Sequence, residues 1–276
     1  MCSSAVTHRR ALHQIPELSD QLPETVAYVL SALSPLPCTL TLPIPGAVCA
    51  FFDAGTPETV AFRADMDALP VEEATGLPWA SAHPGIMHAC GHDGHTAMAL
   101  ALAEYVSAHL KELPRNVLFL FQPAEETFGG AASLCMLGLL EERRTVRIFG
   151  LHLWPGLEAG RIFTRPGPLM AQSNEVNVEI TGHSVHISRA HEGRDALKAG
   201  IDYLQRAQAL VEALPPPHVL GFGKLVSAGS SASVAGNSTD FLFYLLNGKT
   251  FHKLWNCLKI SITSTGEFYI VNNISL

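Results

Sequence analysis

Nine consecutive residues, His88-Ala89-Cys90-Gly91-His92-Asp93-Gly94-His95-Thr96, hold three histidines, one cysteine, one aspartate and two glycines. Imidazole nitrogen and thiolate sulfur are both good ligands for a borderline-soft divalent metal, and Cys90 and His92, two apart in an extended or loop segment, can project towards one point. The glycines let the backbone bend close to an ion. A lone Cys-x-His is a weak signal, because surface histidines in a glycine loop look the same. A second group able to do chemistry is the pair Glu125-Glu126. One carboxylate can bind metal while its neighbour serves as a base, since successive side chains diverge in an extended segment. Asp65 and Asp67 read locally as either a solvated turn or part of a site. A single histidine such as His152 would more often be structural.

The elements around these residues sharpen the reading. Residues 6–33 predict a helical opening, with a loop at 13–17 and a second helix after it. Prolines 35, 37, 43 and 45 punctuate the next loop. Residues 46–52 and 59–62 look like strands, the second running into Asp65. The run Ala97–Ala103 predicts a buried helix with Thr96 near its start. Asn116–Phe121 is a continuous apolar run, as in a strand buried on both faces. A helix through Leu140 and a strand at 146–151 follow. This alternation predicts an α/β fold with a mainly parallel, helix-flanked sheet. In such sheets, sites gather at the carboxyl ends of strands. Asp65, Cys90, His92, Glu125, Glu126 and His152 all fall at such ends or in the intervening loops.

From Glu175 the pattern changes to polar–apolar alternation, then a histidine-rich loop at 182–191, then a helical apolar stripe ending before Pro215. This predicts a smaller α+β domain over 176–276, beside a metal-binding domain over 1–175. The tail at 237–276 has no proline or arginine, an abrupt change of composition, yet could still form strand, helix, strand.

Composition narrows the function. The chain has 276 residues, 47% of them hydrophobic and 16% charged, enough to bury a sizeable core. Its formal net charge of −7, without basic runs, argues against nucleic acid. No apolar run reaches the length of a membrane span, and the N-terminus has no signal-like core. The six cysteines, scattered at 2, 38, 49, 90, 135 and 257, do not form a disulfide framework and predict a reducing, cytoplasmic compartment.

Taken together, the motifs resemble the dinuclear metal-dependent amidohydrolases that include hippurate hydrolase, auxin-conjugate hydrolases and aminoacylases. The matching runs are 8–13 with Pro16-Glu17-Leu18, Arg63–Pro70, His88–Thr96, Phe121–Glu126 and Gly150–Pro155, in the family's order. The resemblance implies hydrolysis of the amide bond of an N-acyl amino acid or dipeptide-like substrate. Two divalent ions would be held, zinc or manganese, with cobalt or nickel also fitting. It implies Cys90, His92, Glu126 and His152 as ligands, Glu125 as general base, and Asp65 in support behind the ligands. The smaller domain would be an inserted lid through which family members dimerise, and His186 would reach the neighbouring subunit's substrate. Family members also carry a C-terminal block with a further metal-binding histidine. Nothing here matches it, and His218 and His252 lack its context. The sequence thus predicts weak or single-metal binding, low activity and open apolar strand edges. The rival readings are a non-catalytic family member and a structural zinc protein. The second is disfavoured because structural zinc takes four closed Cys/His ligands.

Overall fold

The computed structural model describes residues 2–127, 129–166, 172–215, 218–228, 238–247, 257–262 and 268–271. His252 lies outside them. The chain divides into two compact units, Met1–Ala159 and Gly160–Leu276.

The first unit opens with helices α1 (Cys2–His13) and α2 (Pro23–Leu33). Pro23 suits the start of α2, where its fixed φ is helical and no N–H is needed. Five strands follow: β1 (Thr39–Thr41), β2 (Val48–Phe52), β3 (Thr59–Asp65), β4 (Asn116–Gln122) and β5 (Thr145–Gly150), ordered β1-β2-β4-β3-β5. The expectation of a mainly parallel sheet is corrected here. β3 pairs in parallel with β4 and β5, but β1–β2 and β2–β4 are antiparallel, so the sheet is mixed. The reason is connection length. The links at 42–47 and 53–58 are too short for a crossover, which takes about a dozen residues. The links that allow parallel pairing are long. One carries α3 (His92–Ala108); the other carries α4 (Gly130–Met136) and α5 (Leu139–Glu142).

β4 is buried at every position, as its unbroken apolar run predicts for a central strand. Phe52, Phe119 and Phe121 are fully buried, and Phe52 meets Phe119 edge-on at 5.7 Å between ring centroids. Each such ring contributes about 1.5–3 kcal/mol by leaving water. Leu12, Val29, Leu33 and Leu100 join them from the helices. β5 forms the far edge of the sheet, and its Val146, Ile148 and Phe149 are about half exposed. The four described free cysteines are Cys38, Cys49, Cys90 and Cys135.

The second unit has a sheet ordered β10-β9-β6-β8-β7, built from β6 (Gln172–Thr181), β7 (His218–Ala228), β8 (Ser238–Asn247), β9 (Cys257–Ile262) and β10 (Phe268–Val271). It is antiparallel except for β6–β9. Helix α6 (Ala196–Glu212) is capped by Asp195, whose carboxylate accepts the Lys198 N–H. Ala196 of α6 packs with Val178 and Ile180 of β6, while Leu197, Ile201 and Leu210 of the expected apolar stripe face outward. Among the described residues the tail contributes strands only. No described helix is long and apolar enough to cross a membrane.

Candidate metal centre

Strand register brings the site together. Asp65 lies opposite Gln122 and Arg63 opposite Gly150, so β3, β4 and β5 end at nearly one level. Asp67 follows β3, Glu125 and Glu126 follow β4, and His152 follows β5. Helix α3 starts four residues before the expected Thr96, at His92. Gly91, with φ of +88°, makes the sharp entrance that a side chain would resist. Cys90 thus sits in the loop while His92 and His95 occupy the first turn of α3.

His92 is the hub. Its Nδ1–H donates to the Asp67 backbone carbonyl at 2.7 Å, which leaves Nε2 facing the acids. That nitrogen lies 3.6 Å from Asp65 Oδ2, 3.6 Å from Glu126 Oε1 and 3.9 Å from Glu125 Oε2. Cys90 Sγ is 3.8 Å from His152 Nε2. Three groups of donor atoms each fit within 4.8 Å: Cys90, His92 and His152; Asp65, His92 and His95; His92, Glu125 and Glu126. His92 Nε2 and Glu126 Oε1 are buried and have no hydrogen-bond partner. Two orphaned ligand atoms aimed at one another, in a mixed sulfur, nitrogen and oxygen donor set, fit a bound divalent cation.

The three histidines of the opening stretch take different roles. His92 faces the acids. His95 donates to Asp65 and accepts the Leu153 N–H. His88 is buried and belongs to none of the three donor groups, with its ring 6.3 Å from that of His13. His186 belongs to the second unit, where it is exposed and its Nδ1 accepts the Ser188 N–H, capping a short 3₁₀ turn.

Two supporting residues, His95 and Asp67, have no role assigned by sequence. Asp67 accepts the backbone N–H groups of Glu125 at 2.9 Å and Glu126 at 3.1 Å, so one carboxylate fixes the turn that carries both acids. A second acid two residues past Asp65 was visible, but its partners are backbone amides, which leave no sequence signal. Asp67→Ala is expected to lower zinc affinity about 10–100-fold, with Asp67→Asn intermediate because its amide oxygen still accepts one bond. Calorimetric zinc titration reads the difference, and equal affinities would remove Asp67 from this role.

Charge is arranged to favour a cation. Burial opposes protonation of His92, but Asp67, Cys90 and Asp65 outweigh it and push its pKa up to about 11. Glu126 is raised by burial first and by the neighbouring Glu125, against the pull of His92. Burial would raise Asp65 too, yet the His95 hydrogen bond and the charges of His92 and Arg63 bring it down to about 2. The folded-state value of Asp65 lies below the unfolded one, so its stabilisation is complete above about pH 4 and fades as pH falls towards 2. The shift is worth ~2 kcal/mol. Asp65→Asn is therefore expected to lose about that much stability near neutral pH, and the gap to the parent should narrow near pH 2. Urea unfolding at both pH values measures it, and a gap that does not change with pH counts against the assignment.

A mixed α/β sheet with acids and a histidine beyond its strand ends, and a cysteine and two histidines at the start of α3, is an arrangement suited to a metallohydrolase. The family model described as peptidase family M20/M25/M40 matches residues 61–260. The N-acetyldiaminopimelate deacetylase of Lacticaseibacillus casei is 36% identical over 97% of this chain and 76% of its own length. A solved structure from methicillin-resistant Staphylococcus aureus, named as an aminohydrolase, superposes with a TM-score of 0.74 at 31% identity, covering 88% of this chain and 66% of that one. The Bacillus subtilis YXEP protein, described as a dinuclear metal-binding peptidase of the M20 family, superposes with a TM-score of 0.68 at 30% identity, covering 90% and 65%. This chain therefore spans just under two-thirds of the length of those two solved chains. It belongs to the M20/M25/M40 peptidase family.

Proposed function

We propose that this protein is a metal-dependent hydrolase of the amide bond of N-acyl amino acids. The observation that carries the reading is the Glu125-Glu126 pair at the end of buried β4, facing the unpartnered His92 Nε2. Cys90, His92, Glu126 and His152 would hold the metal, with Asp65 supporting them. When bound, divalent zinc or manganese (or cobalt or nickel) would supply Lewis acidity towards the substrate carbonyl and an attacking water.

The chain's own residues divide the remaining work. Glu125, whose side chain is 41% exposed, takes the proton of the attacking water and returns it to the departing amine. Glu126, 19% exposed, stays in place as a ligand. The second unit is read as the lid and dimerisation domain, with His186 reaching the substrate of a partner subunit, and the compartment as cytoplasmic. The relatives' named substrate, N-acetyldiaminopimelate, heads the list to assay, followed by N-acetyl and N-benzoyl amino acids and dipeptides. Release of free amine by the zinc- or manganese-loaded chain tests the reading, and no turnover on any of them overturns it.

One observation favours a second reading, a family member that binds metal without turnover. All three donor groups run through His92. A single imidazole nitrogen serves one ion, so the described donors anchor one ion more firmly than two. Metal analysis separates the readings: two ions per chain with turnover support the hydrolase, one ion without turnover the alternative.

A further inference from the structure

We propose that His95 is a positioning residue that ties the His152 loop to helix α3 and sets which nitrogen of His152 faces Cys90. The inference rests on the reading of His152 as a metal ligand.

A chain of hydrogen bonds leads from the sheet to that loop. Arg63 Nη1 donates to Asp65 Oδ2 at 2.7 Å. The other Asp65 oxygen accepts from His95 Nδ1 at 2.6 Å. His95 Nε2 accepts the Leu153 N–H at 2.9 Å, which requires the proton to sit on Nδ1 and so fixes the His95 tautomer. The Leu153 carbonyl in turn accepts from His152 Nδ1 at 2.6 Å. That bond places the His152 proton on Nδ1 and leaves Nε2 as a lone pair 3.8 Å from Cys90 Sγ. Both polar groups of the Leu153 peptide are thereby engaged, one to each histidine.

The need for such a tie follows from the fold. His152 lies on an exposed loop after the edge strand β5, whereas the His95 side chain is 1% exposed. The two rings pack 4.6 Å apart between centroids. Gly94 leaves room for the approach, since a Cβ there would fall 2.6 Å from Leu153 Cδ1. A neutral imidazole is well suited to the position, because one nitrogen must donate and the other accept across the gap between a carboxylate and an amide.

Two substitutions separate the ends of the ring. Asparagine places its polar atoms near the former Nδ1 and can still meet Asp65; glutamine reaches the former Nε2 and can still accept from Leu153. His95→Asn is expected to lower zinc affinity about 10–100-fold, and His95→Gln to restore much of it, even though glutamine gives up the Asp65 contact. Equal zinc affinities in the two variants, lowered or not, overturn the proposal. The ¹⁵N shifts of His152 in the metal-free parent chain give a reading that does not depend on either variant folding. An Nδ1-protonated ring is expected, and an Nε2-protonated one overturns the proposal. His152→Ala is the control for the underlying reading. If zinc binds it as tightly as the parent, His152 is not a ligand, and the ¹⁵N spectrum alone then decides whether the relay sets the tautomer.

Discussion

Glu125→Gln is expected to lower turnover of the proposed N-acyl amino acid substrates by the metal-loaded chain at least ~100-fold, within the range that general bases contribute, and to leave metal per chain unchanged. The two adjacent acids differ in burial, and that difference supports the proposed division of work. Glu126 keeps an unpartnered oxygen 3.6 Å from His92 Nε2, so it is held where a ligand belongs. Glu125 is more open and 3.9 Å from the same nitrogen, close enough to face an attacking water and free enough to pass its proton on. Glutamine keeps the volume and the backbone anchor to Asp67 while removing the basic oxygen. The reverse outcome is expected of Glu126→Gln, which should lose metal first. Turnover by Glu125→Gln equal to that of the parent would take Glu125 out of the role, and loss of metal in that variant would make it a ligand instead.

Cys90 is expected to react with iodoacetamide at least ~10-fold faster after chelation than in the zinc-loaded chain, because coordination by the proposed metal would withdraw the nucleophilic sulfur. The molecule carries its own references. Cys135 is exposed and should label at the same rate with or without metal. Cys49 is buried, and burial pushes its thiol up to about 11, so it should stay slow in both states. Mass spectrometry of tryptic peptides resolves the three. Equal rates at Cys90 in the two states would mean that the thiolate is not bound and that the sulfur lies near His152 for packing alone.

Local sequence determined the periodic elements and the donor chemistry. The apolar run Asn116–Phe121 reads as a fully buried strand because no polar residue interrupts it, and β4 is buried throughout. Cys90, His92, Glu125, Glu126 and His152 were legible as candidates because, weak one by one, they all fall at strand ends or in the loops between strand and helix, in the order of the family's motifs. What sequence could not decide was direction, tautomer and support. The antiparallel half of the sheet depends on links too short to cross it, a length effect that strand periodicity does not carry. The start of α3 at His92 depends on the left-handed backbone at Gly91, whereas the apolar run begins only at Ala97. Asp67 and His95 take their meaning from backbone amides of Glu125, Glu126 and Leu153, and a backbone amide looks the same at every position of a sequence. Only the tertiary register, which ends three strands at one level, brings those amides within reach and turns a list of ligand types into a site.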